Sequence, residues 1–355
     1  MTDLDQRITS VLREHAEGET DTHRLLRNSR ALGRRRQVRR RTATGAALAL
    51  VGVLGFVGVS GTDLDGLSGR LPWSAATPAA PAPVPPRADG VPGAAQRPDL
   101  VGTDPQVLHL GVDTSRARYL RWASDGLGGE QIRLSVGSRQ PVLIEVNRSA
   151  QPFEGGIEGF PISAVPVRPA FDGEIRQVGG TTGGLVKAWR PAPGLYARAS
   201  MLGGDRRALA TAVDALRWNE ARRCAAPLRL TTLPEGAKVT GCSVDVTAFP
   251  GSLTVQLTVV RDPTPMWVQL LYGAQISGGR AESNRTVGGR PAFLYPAGTK
   301  LELLGIPKAH LTADLGPEWA EGYLKDKPRF TEADMATVLA GAQVAKDLTD
   351  PETWK

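Results

Sequence analysis

A run of 21 uncharged residues, Thr42 to Thr62, lies between Arg41 and Asp63 and constrains this chain more than any other feature. A helix rises about 1.5 Å per residue, so roughly 20 residues span the ~30 Å hydrocarbon core of a bilayer. In lipid a lone segment must satisfy its own backbone hydrogen bonds, which a helix does. Leu48, Leu50, Val51, Val53, Leu54, Phe56, Val57 and Val59 together favour insertion by about 3 kcal/mol. Gly45, Gly52, Gly55, Gly58 and Gly61 weaken that sum. The run therefore reads as one N-terminal transmembrane helix, residues 42–62, in contact with membrane lipid.

Its flank sets the direction. The formal net charge is +7, and residues 1–41 supply +5 of it through eleven Arg and six acidic residues. Arg34, Arg35, Arg36, Arg39, Arg40 and Arg41 form a membrane-orienting basic cluster. Short basic flanks stay inside, so the tail 1–41 is expected in the cytoplasm and the rest outside. Nucleic acid is not the expected partner: Arg runs contact phosphates, but no recognition motif or stacking aromatic accompanies this one. The polar stretch before the apolar run is far longer than that of a secretory signal. A retained signal-anchor is expected, with cleavage near Val59-Ser60-Gly61 as the alternative. Leu4, Ile8, Val11 and Leu12 recur at helical spacing. That stripe suits either a cytoplasmic protein partner or the membrane surface.

Residues 63–105 read as a Pro/Ala-rich linker. Nine prolines fall between Leu71 and Pro105, and proline neither donates to a ladder nor frees its φ angle. Beyond it, strand-like alternation appears in 131–136, 142–146, 185–189, 195–199, 244–247, 253–259, 266–272 and 301–304. Asp205 and Thr331 are candidate helix caps, the second with Asp334 at the capping-box position. Arg176-Gln-Val-Gly-Gly180 and Arg285-Thr-Val-Gly-Gly289 precede similar successions of strand, capped helix and Trp. They indicate either a degenerate duplication or a coincidence of common turn dipeptides. The expected fold class is α+β: the transmembrane helix, the spacer, then two antiparallel-sheet-plus-helix domains, 106–222 and 223–355.

Cys224 and Cys242 are the two cysteines, and both fall on the side predicted to be outside. There disulfides persist. Leu228–Thr232 and Val239–Cys242 read as a hairpin through Leu233-Pro-Glu-Gly236, which would bring the two thiols together as a structural disulfide. No catalytic, cofactor or metal site emerges. His15, His23, His109 and His310 are scattered, and neither HExxH nor GxSxG occurs. Gly179–Gly184 has the spacing of a phosphate loop, but Leu185 stands where the lysine is required. Asp347, Asp350 and Glu352 read as a solvated end.

The layout is similar to that of uncharacterised single-pass membrane proteins of high-GC Gram-positive bacteria. The resemblance rests on the Arg-rich tail, the Ala/Val/Gly stretch, the Pro/Ala spacer and a bias of 35 Arg to 8 Lys. More distantly, the sheet-then-helix units resemble outer domains of envelope-stress regulators and lipoprotein-carrier-like folds. No functional residue carries over. The expectation is a non-enzymatic, membrane-anchored extracytoplasmic binding or sensing protein with an unknown ligand or protein partner. An envelope hydrolase and a structural scaffold are the competing classes.

Overall fold

The computed structural model describes residues 82–126, 128–137, 140–154, 169–179, 183–224, 227–261, 263–273, 282–316 and 330–354. The basic cluster 34–41, the apolar run 42–62 and residues 63–81 of the linker lie outside the described residues. Among the described residues no helix is long and apolar enough to cross a membrane.

Alternating sequences build one sheet. In the first half β3 (Arg118–Ser124), β4 (Gly129–Ser135) and β5 (Val142–Asn147) form a meander. The chain then runs through β6 (Ile175–Val178), β7 (Gly184–Trp189) and β8 (Tyr196–Leu202), and β8 returns to pair with β5. The second half repeats the plan. β12 (Lys238–Asp245), β13 (Ser252–Arg261) and β14 (Thr264–Gly273) form a meander. Next come β15 (Arg285–Val287), β16 (Arg290–Leu294), β17 (Lys300–Leu303) and β18 (Ala309–Asp314), and β18 returns to pair with β14. The two first strands, β3 and β12, pair antiparallel with each other. The result is a single sheet of thirteen strands, ordered β15-β16-β17-β18-β14-β13-β12-β3-β4-β5-β8-β7-β6.

The expected α+β class is thereby corrected. The described chain is mostly β, and its two α-helices, α1 (Arg206–Asp214) and α2 (Glu332–Ala340), are nine residues each. Where two separate sheet-plus-helix domains were expected, one sheet runs through both halves. The physical reason lies in the first strands, whose unpaired N–H and C=O groups would otherwise form two open edges. Pairing β3 with β12 removes both at once.

The halves are related in detail at this seam. Each first strand carries one irregularity in register, between Tyr119 and Arg121 in β3 and between Val239 and Gly241 in β12. Three residues beyond each bulge stand Ala123 and Ser243, which face one another across the seam. An approximate two-fold axis perpendicular to the sheet therefore passes through the Ala123/Ser243 pair. The motif strands β6 and β15 are the sixth and seventh counting outward from the seam, so the second half has one extra strand.

Both helices cover the same face of the sheet. Leu209 and Ala212 of α1 and Met335, Val338 and Leu339 of α2 join Trp122, Ile132, Ile144, Val244, Leu257, Val268 and Leu311 in one continuous core. Asp205 accepts from the Ala208 amide at 2.9 Å, and Thr331 with Asp334 forms a reciprocal capping box. Each half is then tied shut by short strand pairs. β1 (Val107–Leu108) joins β10 (Arg222–Arg223), β2 (Gly111–Val112) joins β9 (Leu216–Arg217), and β11 (Leu228–Leu230) joins β19 (Ala342–Val344).

The linker boundary also moves. Residues 82–105, expected to be spacer, pack on the first half: Ala94 and Val101 are buried in the core. The Ala88 amide donates to Ala221 O at 3.0 Å, and the Ala95 amide to Trp218 O at 2.7 Å. Proline stops these residues forming ladders with one another, but their few free amides and small apolar side chains still dock on a finished surface.

Asp334 gives an acid-sensitive contact. Partial burial disfavours its charged form, but bonds from Arg261, at 2.7 and 3.3 Å, and from Thr331 outweigh this. Its carboxyl group is therefore held below the ordinary carboxylate pKa. A depressed folded pKa stabilises above the unfolded value of about 4 and is lost as pH falls through the folded value. Asp334→Ala is expected to cost about 1–2 kcal/mol near neutral pH, through the lost cap and ion pair. In urea titrations that gap should shrink towards pH 2; a gap independent of pH contradicts this account.

Candidate functional site

The outer face of the sheet, opposite the helices, carries the candidate site. Because the side-chain period of a strand is two, the register lines up one row across the strands. From β4 to β18 that row reads Gln131, Ala123, Ser243, Gln256, Gln269, Thr312. Gln131 and Gln256 are two-fold mates, each directly opposite its own half's seam residue.

A recess of about 650 Å³ opens over the seam. Its lining includes Arg121, Gln131, Lys238, Ser243, Gln256 and Thr258. Arg121 Nε donates to Ser243 Oγ at 3.1 Å, so the two first strands are also bonded through side chains. Asp125 Oδ1 accepts from the Gly129 amide at 2.9 Å, closing the turn at the recess rim. Gly126 in that turn has φ +60°, and a Cβ there would lie 2.1 Å from Thr240 O. Only glycine lets the two halves approach so closely here.

A second recess of about 540 Å³ shares Gln256 with the first and adds Trp267, Gln269, Tyr295, Lys300 and Asp314. Gly316 lies against the indole: a Cβ on it would sit 2.6 Å from Trp267 Cζ3. Asp314 Oδ1 accepts from the Gly316 amide at 2.8 Å, which fixes that contact. Lys300 Nζ stands 5.4 Å from the centre of the Tyr295 ring. Below the rim Tyr295 donates to Glu302 Oε2 at 2.7 Å, and His310 Nδ1 is bonded to Glu302 Oε1.

The corresponding area of the first half is closed. There Arg198, 1% exposed, donates to Glu145 Oε2 at 2.7 Å and to Phe153 O at 3.3 Å, with its guanidinium 5.2 Å from the Phe153 ring. In the row, Glu145 and Arg198 occupy the places that Gln269 and Thr312 hold in the second half. An ion pair capped by an aromatic ring fills one side. Uncharged polar groups leave the other open.

The residues singled out from sequence distribute as follows. Cys224 and Cys242 form a disulfide with Cα atoms 6.1 Å apart. They do not meet through the expected hairpin, since β11 pairs with β19 and Cys242 lies on β12 opposite Ser124. His109 and His310, scattered in sequence, each bond to a buried glutamate, Glu130 and Glu302. Of the phosphate-loop candidate Gly179–Gly184, residues 180–182 lie outside the described residues, and Gly184 pairs with Val178 in the β6–β7 ladder. Asp347 and Asp350 accept from the backbone amides of Thr349 and Glu352. Among the described residues no three His, Cys, Asp or Glu gather to hold a metal ion. The glutamine row escaped notice because its members sit in three different strands and only register aligns them.

No family model matches the sequence, and no curated protein matches it. A solved structure described as MucB in complex with MucA(peri) is similar over 70% of this chain and 97% of that one, at 13% identity and a TM-score of 0.20. At that TM-score the likeness is too loose to assign a fold or a function.

Proposed function

We propose that the chain is an extracytoplasmic binding or sensing protein, held at the cell membrane through residues 42–62 with its tail in the cytoplasm, and that the seam recess is its ligand site. The observation that carries this reading is where the polarity sits. The apolar face of the sheet is filled by its own helices, whereas both recesses lie on the opposite face and present the amides of Gln131, Gln256 and Gln269 and the hydroxyls of Thr240, Ser243 and Thr258. Such groups donate and accept without titrating near neutral pH, which suits reversible recognition better than proton transfer. The disulfide supports placement in an oxidising compartment.

One observation favours an envelope hydrolase as the second reading: Tyr295, Glu302 and His310 are bonded together beside the second recess. The full chain in detergent, immobilised and offered aqueous and organic extracts of cell envelope, separates the readings. Wild type should retain aqueous material unchanged, and Ala123→Trp, which fills the recess from a half-buried position, should retain at least tenfold less. Retention from the organic extract alone, or retention indifferent to Ala123→Trp, removes the proposal. Turnover of the retained material that Glu302→Gln abolishes would transfer the assignment to the hydrolase. Reporter fusions at Ala88 and Lys355 should both score outside; a cytoplasmic score contradicts the location.

A further inference from the structure

Resting on that reading of the seam recess, we infer that the two recesses form one groove for an acidic polysaccharide, a run of sugar rings bearing uronate groups. Length is the first argument. The lining runs from Gln131 in β4 to Asp314 in β18, six adjacent strands, roughly 24 Å at about 4.8 Å per strand. That is a track for a chain of rings, longer than a single small metabolite needs.

Chemistry is the second. Vicinal sugar hydroxyls each donate and accept, and a glutamine amide offers both functions on one planar group. Gln131, Gln256 and Gln269 supply three such amides in one row, with Thr240, Thr258 and Ser243 adding hydroxyls at the seam. The aliphatic face of a sugar ring packs on an aromatic π-face. Trp267 lines the groove with its indole backed by the Gly316 main chain, so the platform is held in place. A peptide adding as a strand needs a sheet edge, and this groove crosses the middle of the sheet.

Charge selects an acidic polymer. Arg121, Lys238 and Lys300 line the groove with two carboxylates, Asp125 and Asp314. Both carboxylates already accept from turn amides. At the seam the exposed Lys238 can receive a uronate.

Titration of the full chain in detergent with tetragalacturonic acid, cellotetraose and oligoglutamate tests this, read by tryptophan fluorescence and by calorimetry. Tetragalacturonate should bind at least tenfold more tightly than cellotetraose. Trp267→Ala should weaken it about tenfold, with Trp267→Phe recovering most of the loss. Gln256→Ala, on a half-buried surface position, should weaken both saccharides together. Lys238→Gln should erase most of the preference for the acidic one. Failure of both saccharides to bind at millimolar concentration overturns the inference, as does binding unaffected by both Trp267→Ala and Gln256→Ala. Oligoglutamate bound as tightly as tetragalacturonate also overturns it, while leaving a polar-ligand function at the seam intact.

Discussion

Glu130→Ala is expected to lower the stability of the folded domain by about 3–5 kcal/mol, the cost typical of breaking a buried polar pair by deleting one partner. Glu130 is fully buried at the start of β4. Its Oε1 accepts from the Gly102 amide at 3.0 Å and is 2.7 Å from His109 Nδ1; its Oε2 accepts from the His109 amide at 2.7 Å. Alanine would leave two backbone donors and an imidazole nitrogen inside without partners, at about 1–3 kcal/mol for each unsatisfied group before relaxation. Glu130→Gln keeps the volume and one acceptor oxygen, so its cost should be about half. Hydrogen exchange should show where the loss begins. The Gly102 and His109 amides are expected to exchange faster by more than the global change in stability, because this carboxyl group fastens residues 98–110 to the sheet. Alanine and wild-type urea midpoints that coincide within about 1 kcal/mol would discard this account.

Loss of the disulfide is the second large effect. Cys224 follows the first half and Cys242 lies in β12, so the bridge closes an 18-residue separation at the point where the chain passes from one half to the other. In the chain-entropy model a loop of this size contributes about 3 kcal/mol by restricting the unfolded chain. For a domain of this size that is a fall in Tm of roughly 6–12 °C in the Cys224→Ser, Cys242→Ser double variant. The native bridge is buried, and Trp122 Nε1 donates to Cys224 O at 2.9 Å, which holds the strand end in place. Resistance to mild reductant until the domain is warmed is therefore also expected. A double variant with unchanged Tm would show that packing at the seam suffices without the bridge.

How much of this was legible depends on the range of the interaction. The eight alternating stretches named from sequence each overlap a strand, though 244–247 only through Val244 and Asp245, and both helices are capped by Asp205 and Thr331 as expected. Such features answer to neighbours within a few residues. β3 was missed because its bulge places Tyr119 and Leu120 in succession on buried positions, which breaks the two-residue period. β11 was given the wrong partner. Leu228–Leu230 and the strand after it are close in sequence, yet β11 pairs with Ala342–Val344, more than a hundred residues away, and closes the second half. The candidate site was legible only as ingredients: Gln131, Gln256 and Gln269 each stood within a recognised strand, but nothing local said they share a row.

By itself the sequence determined the elements and their faces, the pairing of two cysteines and a basic flank beside an apolar run, because periodicity, caps and charge act along the chain. The tertiary structure alone decided that two similar halves join through their first strands. Register across that join is a long-range property, fixed by burying one face of every strand at once. That same register decided which polar side chains meet over the seam, and hence where a ligand would lie.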